Sequence, residues 1–203
     1  ELTDGYRRFR QNRWPAERAE YEALAANGQK PHTLVVACSD SRADPALIFD
    51  TAPGQLFVVR NVANLVPPYE PDGHLHGVSA ALEFGVKVLE VRRIVVMGHA
   101  HCGGVNAMRY GAPDNCQDFV APWVAQGAPV VRRVCEACAP EEAERVTVRG
   151  HEAHSSLRPY GVSAIEEAAK LETKSNWTVL RYVQLPFLIP SLVAVLILRT
   201  ADT

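Results

Sequence analysis

Thr33-Leu-Val-Val-Ala37, running directly into Cys38-Ser-Asp-Ser-Arg42, is the stretch that decides how this chain folds. Its first half is short, apolar and rich in β-branched residues, the pattern of a strand buried on both faces. Its second half alternates a thiol, a carboxylate and a guanidinium, and in extended backbone positions i, i+2 and i+4 share one face. The same grammar recurs downstream, where Arg93-Ile-Val-Val-Met97 runs into Gly98-His-Ala-His-Cys-Gly-Gly104. Between the two, Asp44-Pro45 has the form of a helix start, with aspartate as cap and proline at the first helical position. After a turn at Pro53-Gly54, Leu56-Phe-Val-Val-Arg60 reads as another strand. Val78, Ala81, Leu82, Gly85, Val86 and Leu89 recur at three- and four-residue steps, so Gly77 to Glu90 reads as an amphipathic helix. Strand, helix, strand, helix, strand predicts an α/β fold, a central and mainly parallel β-sheet with right-handed crossovers and flanking helices. Ligands in such sheets sit beyond the carboxyl ends of the strands, and Cys38, Arg60, His99 and Cys102 all fall there.

Ahead of this unit, Glu1 to Asn27 is a polar arm with Tyr6, Phe9, Trp14, Tyr21 and Leu24 at loose helical intervals around a break at Pro15. Two short amphipathic helices are expected, packing either on their own domain or on a second subunit. Gly103-Gly104 opens a helix through Arg109, which puts Cys102 near a helix N-terminus, where a thiolate is favoured. Asp118 to Ala139 reads as helix with a break near Pro129. Glu141 to Tyr160 lacks periodicity and reads as an irregular insertion, Gly161 to Lys174 as helix, and Leu192 to Leu198 as an edge strand.

At 203 residues with 47% apolar residues, the chain suits one domain spanning 1–203, with the arm attached. A net charge of -2 without a long like-charge run gives no electrostatic footprint for nucleic acid. Small solutes and protein partners fit better. The longest apolar run, Leu185 to Leu198, holds Pro186, Pro190 and Ser191 and is too short to span a bilayer, so no membrane partner is expected. Five cysteines in a chain of this size fit a reducing compartment, the cytoplasm first. The chain opens at Glu1 without Met, which leaves an organellar leader open. Cys135-Glu-Ala-Cys138 invites a second zinc or a redox pair, but without partners it is read as ordinary thiols, and Cys116 as structural.

Two cysteines and a histidine are borderline-soft donors suited to tetrahedral zinc. Cys38, His99 and Cys102 supply three ligands and leave one position open, the mark of a catalytic site whose fourth ligand is water. Asp40, two residues after Cys38, can accept a hydrogen bond from that water or occupy the fourth position itself. Arg42 can hold the same carboxylate in a bidentate pair and keep it ionised.

From about Gln29 to Gly104 the chain resembles the β-class carbonic anhydrases. It carries their Cys-x-Asp-x-Arg and His-x-x-Cys signature, and Pro53 to Pro68 is similar to the plant-type branch. The resemblance implies a zinc lyase, a carbonate dehydratase that reversibly hydrates carbon dioxide to bicarbonate and a proton by attack of zinc-bound hydroxide. It implies one zinc ion per subunit on Cys38, His99 and Cys102, with Asp40 and Arg42 as catalytic dyad and Gly103 as an amide donor near the substrate. Gln29 matches a glutamine reaching the pocket of the neighbouring subunit, so a homodimer or dimer-based oligomer is expected. Phe57 and Val62 match apolar pocket positions, and Phe84 stands where the plant-type pattern has tyrosine. His74, His76, His101 and Tyr69 are candidates for proton relay. A regulated subgroup carries tryptophan where this chain has Val35, which favours Asp40 paired to Arg42. The C-terminal third departs from the pattern, with Ser175-Asn-Trp177 and Leu185-Pro-Phe187 as rough echoes. Two other functions compete: hydrolysis of carbonyl sulfide or carbon disulfide on the same zinc set, and a non-catalytic zinc-binding interaction or storage module.

Overall fold

The computed structural model describes residues 1–137, with side chains through Arg132, and the backbone of two further strands over 177–184 and 193–200. Among the described residues five strands form the sheet: β1 (Thr33–Cys38), β2 (Leu56–Asn61), β3 (Arg93–His99), β4 (Trp177–Gln184) and β5 (Val193–Thr200), in the order β2-β1-β3-β5-β4. β1 pairs parallel with both β2 and β3, in a register that sets Cys38 beside Asn61 and Ala37 beside Met97. The expected parallel sheet therefore holds for the three strands that carry the motifs. β5 adds antiparallel to β3, and β4 antiparallel to β5.

The expectation of an edge strand over Leu192 to Leu198 is overturned, because β5 lies between β3 and β4 and the outer strand is β4. The run Val193-Ala-Val-Leu-Ile-Leu198 is unbroken by polar residues, which is the pattern of an interior strand. Trp177 to Gln184 mixes polar and apolar positions, as an outer strand does.

Both faces of β1 and β3 are covered, which is why these strands are apolar at consecutive positions. On one face Val35, Ala37, Val95 and Met97 pack with Cys38, Cys102, Met108 and Val124. On the other, Leu34, Val36, Ile94 and Val96 pack with Leu82, Val86 and Val91. Leu34, Val35, Val36 and Ile94 are fully buried, and each such aliphatic side chain contributes roughly 1.5–3 kcal/mol relative to exposure.

The helices close these two layers. Asp44 caps α3 (Pro45–Ile48) by accepting from the amides of Ala46 at 2.9 Å and Leu47 at 3.4 Å, as its sequence position predicts. α4 (Gly77–Lys87) buries Leu82, Gly85 and Val86 against the second face. α5 (Gly103–Tyr110), α6 (Val120–Ala125) and α7 (Ala128–Ala137) belong to the first. The break expected near Pro129 falls at Gln126–Gly127, and Pro129 sits in the first turn of α7, where its missing N–H costs nothing. The expected insertion at Glu141–Tyr160, the helix at Gly161–Lys174 and Cys138 lie outside the described residues, so the pairing of Cys135 with Cys138 is untouched.

The arm differs from expectation. α1 (Leu2–Arg8) and α2 (Trp14–Asn27) are joined by a π-helical turn over Phe9–Arg13 rather than a break. The Trp14 amide bonds the Phe9 carbonyl, five residues back. Proline 15 has no N–H and its ring crowds the preceding turn, and widening that turn lets the helix pass. Tyr6, Phe9, Trp14 and Tyr21 pack ring against ring along this arm, in stacked, tilted and edge-to-face pairs with centroids 5.5–6.4 Å apart, and none of its residues is fully buried. No helix among the described residues is long and apolar enough to cross a membrane.

Candidate metal centre

The carboxyl ends of β1 and β3 are neighbours, so Cys38 and His99 meet although 61 residues separate them. After His99 the backbone reverses through His101, whose φ of 55° is left-handed, and returns Cys102 to the same point as the N-cap of α5. The donor atoms of Cys38, His99 and Cys102 all lie within 4.8 Å of one another, the only such group among the described residues.

These residues fit a tetrahedral zinc ion. With bonds of about 2.3 Å at tetrahedral angles, two thiolates stand about 3.8 Å apart, and the two sulfurs here are 3.7 Å apart. His99 Nδ1 lies 3.0 Å from the Ala100 carbonyl, which assigns its proton to that nitrogen and leaves a lone pair on Nε2. That Nε2 is buried and has no hydrogen-bond partner. A buried acceptor without a donor is costly, and a cation between it and the sulfurs removes that cost.

Backbone amides prepare the sulfurs. The N–H groups of Asp40 and Ala63 donate to Cys38, and those of Gly104 and Val105 to Cys102. The Cys38 thiol is pulled down to about 4, first by the hydrogen bond from Cys102, with burial opposing. Cys102 is pushed up because it keeps the proton it gives to Cys38, and burial adds to the push. The two thiols thus share one proton as a coupled pair. Ala63 reaches Cys38 from a left-handed conformation (φ 66°), and the start of α5 packs on it so closely that a Cβ on Gly104 would stand 2.7–2.9 Å from Val62 and Ala63. Glycine is needed there.

Asp40 is turned to Arg42. Arg42 Nε donates to Oδ1 at 2.9 Å, Nη2 to Oδ2 at 2.8 Å, and the Arg42 amide to Oδ1 at 2.9 Å. The Arg42 side chain, then its amide, hold the Asp40 carboxyl well below the usual carboxylate range, against a smaller burial effect. Asp40 Oδ2 is also 3.8 Å from His99 Nε2, at the rim of the donor triad.

The other sequence candidates divide. Gly103 is the first residue of α5, beside Cys102, and Val62 is part-exposed in the turn after β2. Phe57 and Phe84 stack with centroids 5.8 Å apart, but Phe57 packs on the sheet face of α4, opposite the face that holds Cys38 and Cys102. Gln29 is exposed in the link between α2 and β1. These three do not join the triad within one chain. His101 is exposed between two of the sulfur and nitrogen donors. His74 and His76 instead bind Asp72, at 3.1 and 2.7 Å. With Tyr69 they line a cavity of about 450 Å³ along α4.

Two contacts escape sequence reasoning. Trp123 Nε1 donates to the Val62 carbonyl at 2.8 Å and so braces the turn that presents the Ala63 amide. Arg60 bonds the loop after β1 at several points. Arg60 was visible as a strand-end residue, whereas Trp123 lies 61 positions downstream with no local signal.

Comparison with known proteins agrees with this geometry. The carbonic anhydrase family profile matches residues 33–170. The chain is 37% identical to β carbonic anhydrase 3 of Arabidopsis thaliana over 141 residues, 68% of this chain and 54% of that one. It is 42% identical to a carbonic anhydrase of Pseudomonas aeruginosa over 124 residues, 61% of this chain and 55% of that one. It thus spans about half the length of these relatives. Among solved structures, the β-carbonic anhydrase CcaA superposes with a TM-score of 0.65 at 33% identity, over 72% of each chain. A tetrameric β-carbonic anhydrase of Sordaria macrospora gives 0.54 at 28% identity, over 72% of this chain and 76% of that one. Converging thiolates and imidazole at the ends of parallel strands, and a profile match over well over half its length, make this chain a member of the β-class carbonic anhydrase family.

Proposed function

We propose that the chain catalyses the reversible hydration of carbon dioxide to bicarbonate and a proton. One observation carries it: the buried, unpartnered His99 Nε2 belongs to a donor triad with two sulfurs and has the Asp40 carboxylate 3.8 Å away. Three donors and an adjacent ionised acceptor suit a site that binds water rather than one closed for structural purposes. Zinc held there supplies Lewis acidity, which brings the pKa of water toward about 7.

The protein's part follows from its own groups. Asp40 stays ionised because Arg42 grips both of its oxygens. It accepts a hydrogen bond from the attacking water and so orients the lone pair toward carbon. The amides of Gly104 and Val105 are already given to Cys102, which leaves the Gly103 amide, at the positive end of α5, as the donor for oxygen charge that develops as the C–O bond forms. Exposed Val62 supplies an apolar wall suited to a small, uncharged substrate.

The remaining wall comes from a second copy. Gln29 and the Phe57–Phe84 pair are exposed or lie on the opposite sheet face, so they complete a pocket only when another subunit presents them. A homodimer, or an oligomer built from it, is part of the proposal. The relative from Sordaria macrospora is itself described as tetrameric.

The test is zinc content together with stopped-flow carbon dioxide hydration across about pH 6.5 to 9, spanning the range in which such a water ionises. One zinc per chain and rapid hydration are expected. Zinc-replete protein without hydration at any pH overturns the proposal, and carbonyl sulfide turnover far above that of carbon dioxide reassigns the substrate.

A further inference from the structure

We infer that Arg60 and Asp44 form a clamp that positions the Asp40–Arg42 pair against the donor triad, acting through the backbone of the loop Cys38–Asp44. Arg60 is the penultimate residue of β2, beside Ala37, and its guanidinium reaches the loop that leaves β1. Its Nε donates to the Cys38 carbonyl at 2.9 Å, its Nη2 to the Asp40 carbonyl at 2.7 Å, and its Nη1 to Asp44 Oδ2 at 3.0 Å. One rigid fork thus holds the loop at its first residue, at the residue that carries the carboxylate, and at its last.

Asp44 locks the far end. Its Oδ1 caps α3 while its Oδ2 takes the Arg60 bond, so the loop cannot shift without uncapping a helix. The Asp40 carbonyl accepts a second bond from the Ala43 amide at 2.9 Å, and Ser39 donates to the Asn61 carbonyl at 2.9 Å. The backbone of Asp40 is therefore fixed on several sides while its carboxylate is held only by Arg42, itself half-exposed. Asp40 Oδ2 sits 3.8 Å from His99 Nε2, so a small displacement of the loop decides whether the carboxylate lies beside the triad or within it. Lysine cannot replace arginine here, because an ammonium lacks the planar fork that meets three acceptors at once. Arg60 and Asp44 touch neither the donors nor a substrate through their side chains, and they are positioning residues.

This inference deepens the proposed function and rests on it for the meaning of any change in rate. The experiment compares wild-type holoenzyme with Arg60→Lys and Asp44→Asn, asparagine being retained because it still caps α3. Three quantities are read: kcat and KM for carbon dioxide, the rate of zinc release to a chelator, and the visible spectrum of the cobalt-substituted protein. Loss of such outer partners typically costs about 10–100-fold in activity or metal affinity. The clamp predicts a kcat loss of that size with little change in KM, faster zinc release and an altered cobalt spectrum in both variants. The double variant should be no worse than the poorer single one, because both break the same unit. Wild-type kcat, release rate and cobalt spectrum in either folded variant overturn the inference, even if thermal stability falls. If Arg60→Lys does not fold, Asp44→Asn decides by the same readouts. If the wild-type enzyme does not hydrate carbon dioxide, zinc release and the cobalt spectrum still test the clamp.

Discussion

The two faces of the sheet do different work. On the face of Cys38 and Cys102, one chain brings every donor together, with sulfurs 3.7 Å apart, amides aimed at both, and Asp40 gripped by Arg42. On the α4 face, the core beneath is likewise buried, but the Phe57–Phe84 pair ends at the surface with Phe84 43% exposed. The first face is finished by the chain itself. The second finishes nothing within the chain, and in the proposed function it lends its aromatic pair to another subunit. Metal binding should therefore survive changes that abolish the pocket, and the pocket should be restorable between chains.

The largest expected effect breaks the first face. Cys102→Ala removes one of two sulfurs, and zinc content should fall close to zero with all activity, as measured by metal analysis after dialysis. Asp40→Ala should behave differently, retaining zinc while losing about 10²–10⁴-fold in kcat, the usual scale for a positioned proton acceptor. Full activity in that variant would remove Asp40 from the proposed mechanism. The second face is tested by Phe84→Asp, expected to lose activity while keeping zinc. Mixing subunits of this variant with Cys102→Ala subunits should restore part of the activity, since one chain brings an intact metal centre and the other an intact aromatic pair. No recovery on subunit exchange, with mixed dimers demonstrated by native mass spectrometry, would confine Phe84 to its own chain.

The shared proton gives a smaller, graded effect. Below neutrality Cys102 is protonated in the metal-free protein because its thiol is pushed up, whereas Cys38, at about 4, is already thiolate. Zinc must displace the Cys102 proton, so binding releases it. The apparent affinity should weaken by at least about tenfold for each pH unit of acidification between pH 7 and 6, as read by competition with a chelator. An affinity independent of pH would contradict the shared-proton description.

What the sequence discloses follows the range over which each feature is determined. Asp40 and Arg42 are two residues apart, but the extended backbone that the alternation suggests ends at Cys38, and it is a turn, closed by the Ala43 amide on the Asp40 carbonyl, that makes them neighbours. Cys38 is far in sequence from His99 and Cys102, yet both groups stand at the end of a strand of unmistakable pattern, and the parallel rule brings such ends together. The α3 cap was equally local. Trp123 was silent because its bond to Val62 depends on where α6 docks, which no spacing encodes. Phe57 alternates visibly with Leu56, but alternation does not say which face holds the metal. The π turn before Pro15 was hidden because proline more often ends a helix than widens it, and the interior place of β5 depends on pairing with β4, a strand that the sequence offers only weakly.

The smallest effect tests whether the α4 face, a buried cluster of its own, takes no part in metal binding. Gly85 faces the sheet from the last turn of α4, and a Cβ there would collide with Leu34 Cδ1. Leu34 is fully buried in the cluster that includes Val36, Leu82 and Val86, so any shift of its side chain moves against those neighbours. Alanine favours the helix by roughly 0.5–1 kcal/mol over glycine, while overpacking a filled core costs typically about 1–3 kcal/mol. The steric cost should win, so Gly85→Ala should lower unfolding stability by about 1–2 kcal/mol in urea titration. Zinc stoichiometry should stay at the wild-type value, because Gly85 and Leu34 belong to the cluster that excludes Cys38 and Cys102. A stabilised variant would mean that α4 lifts away from β1 at little cost, and a loss of zinc would mean that the sheet transmits strain from one face to the other.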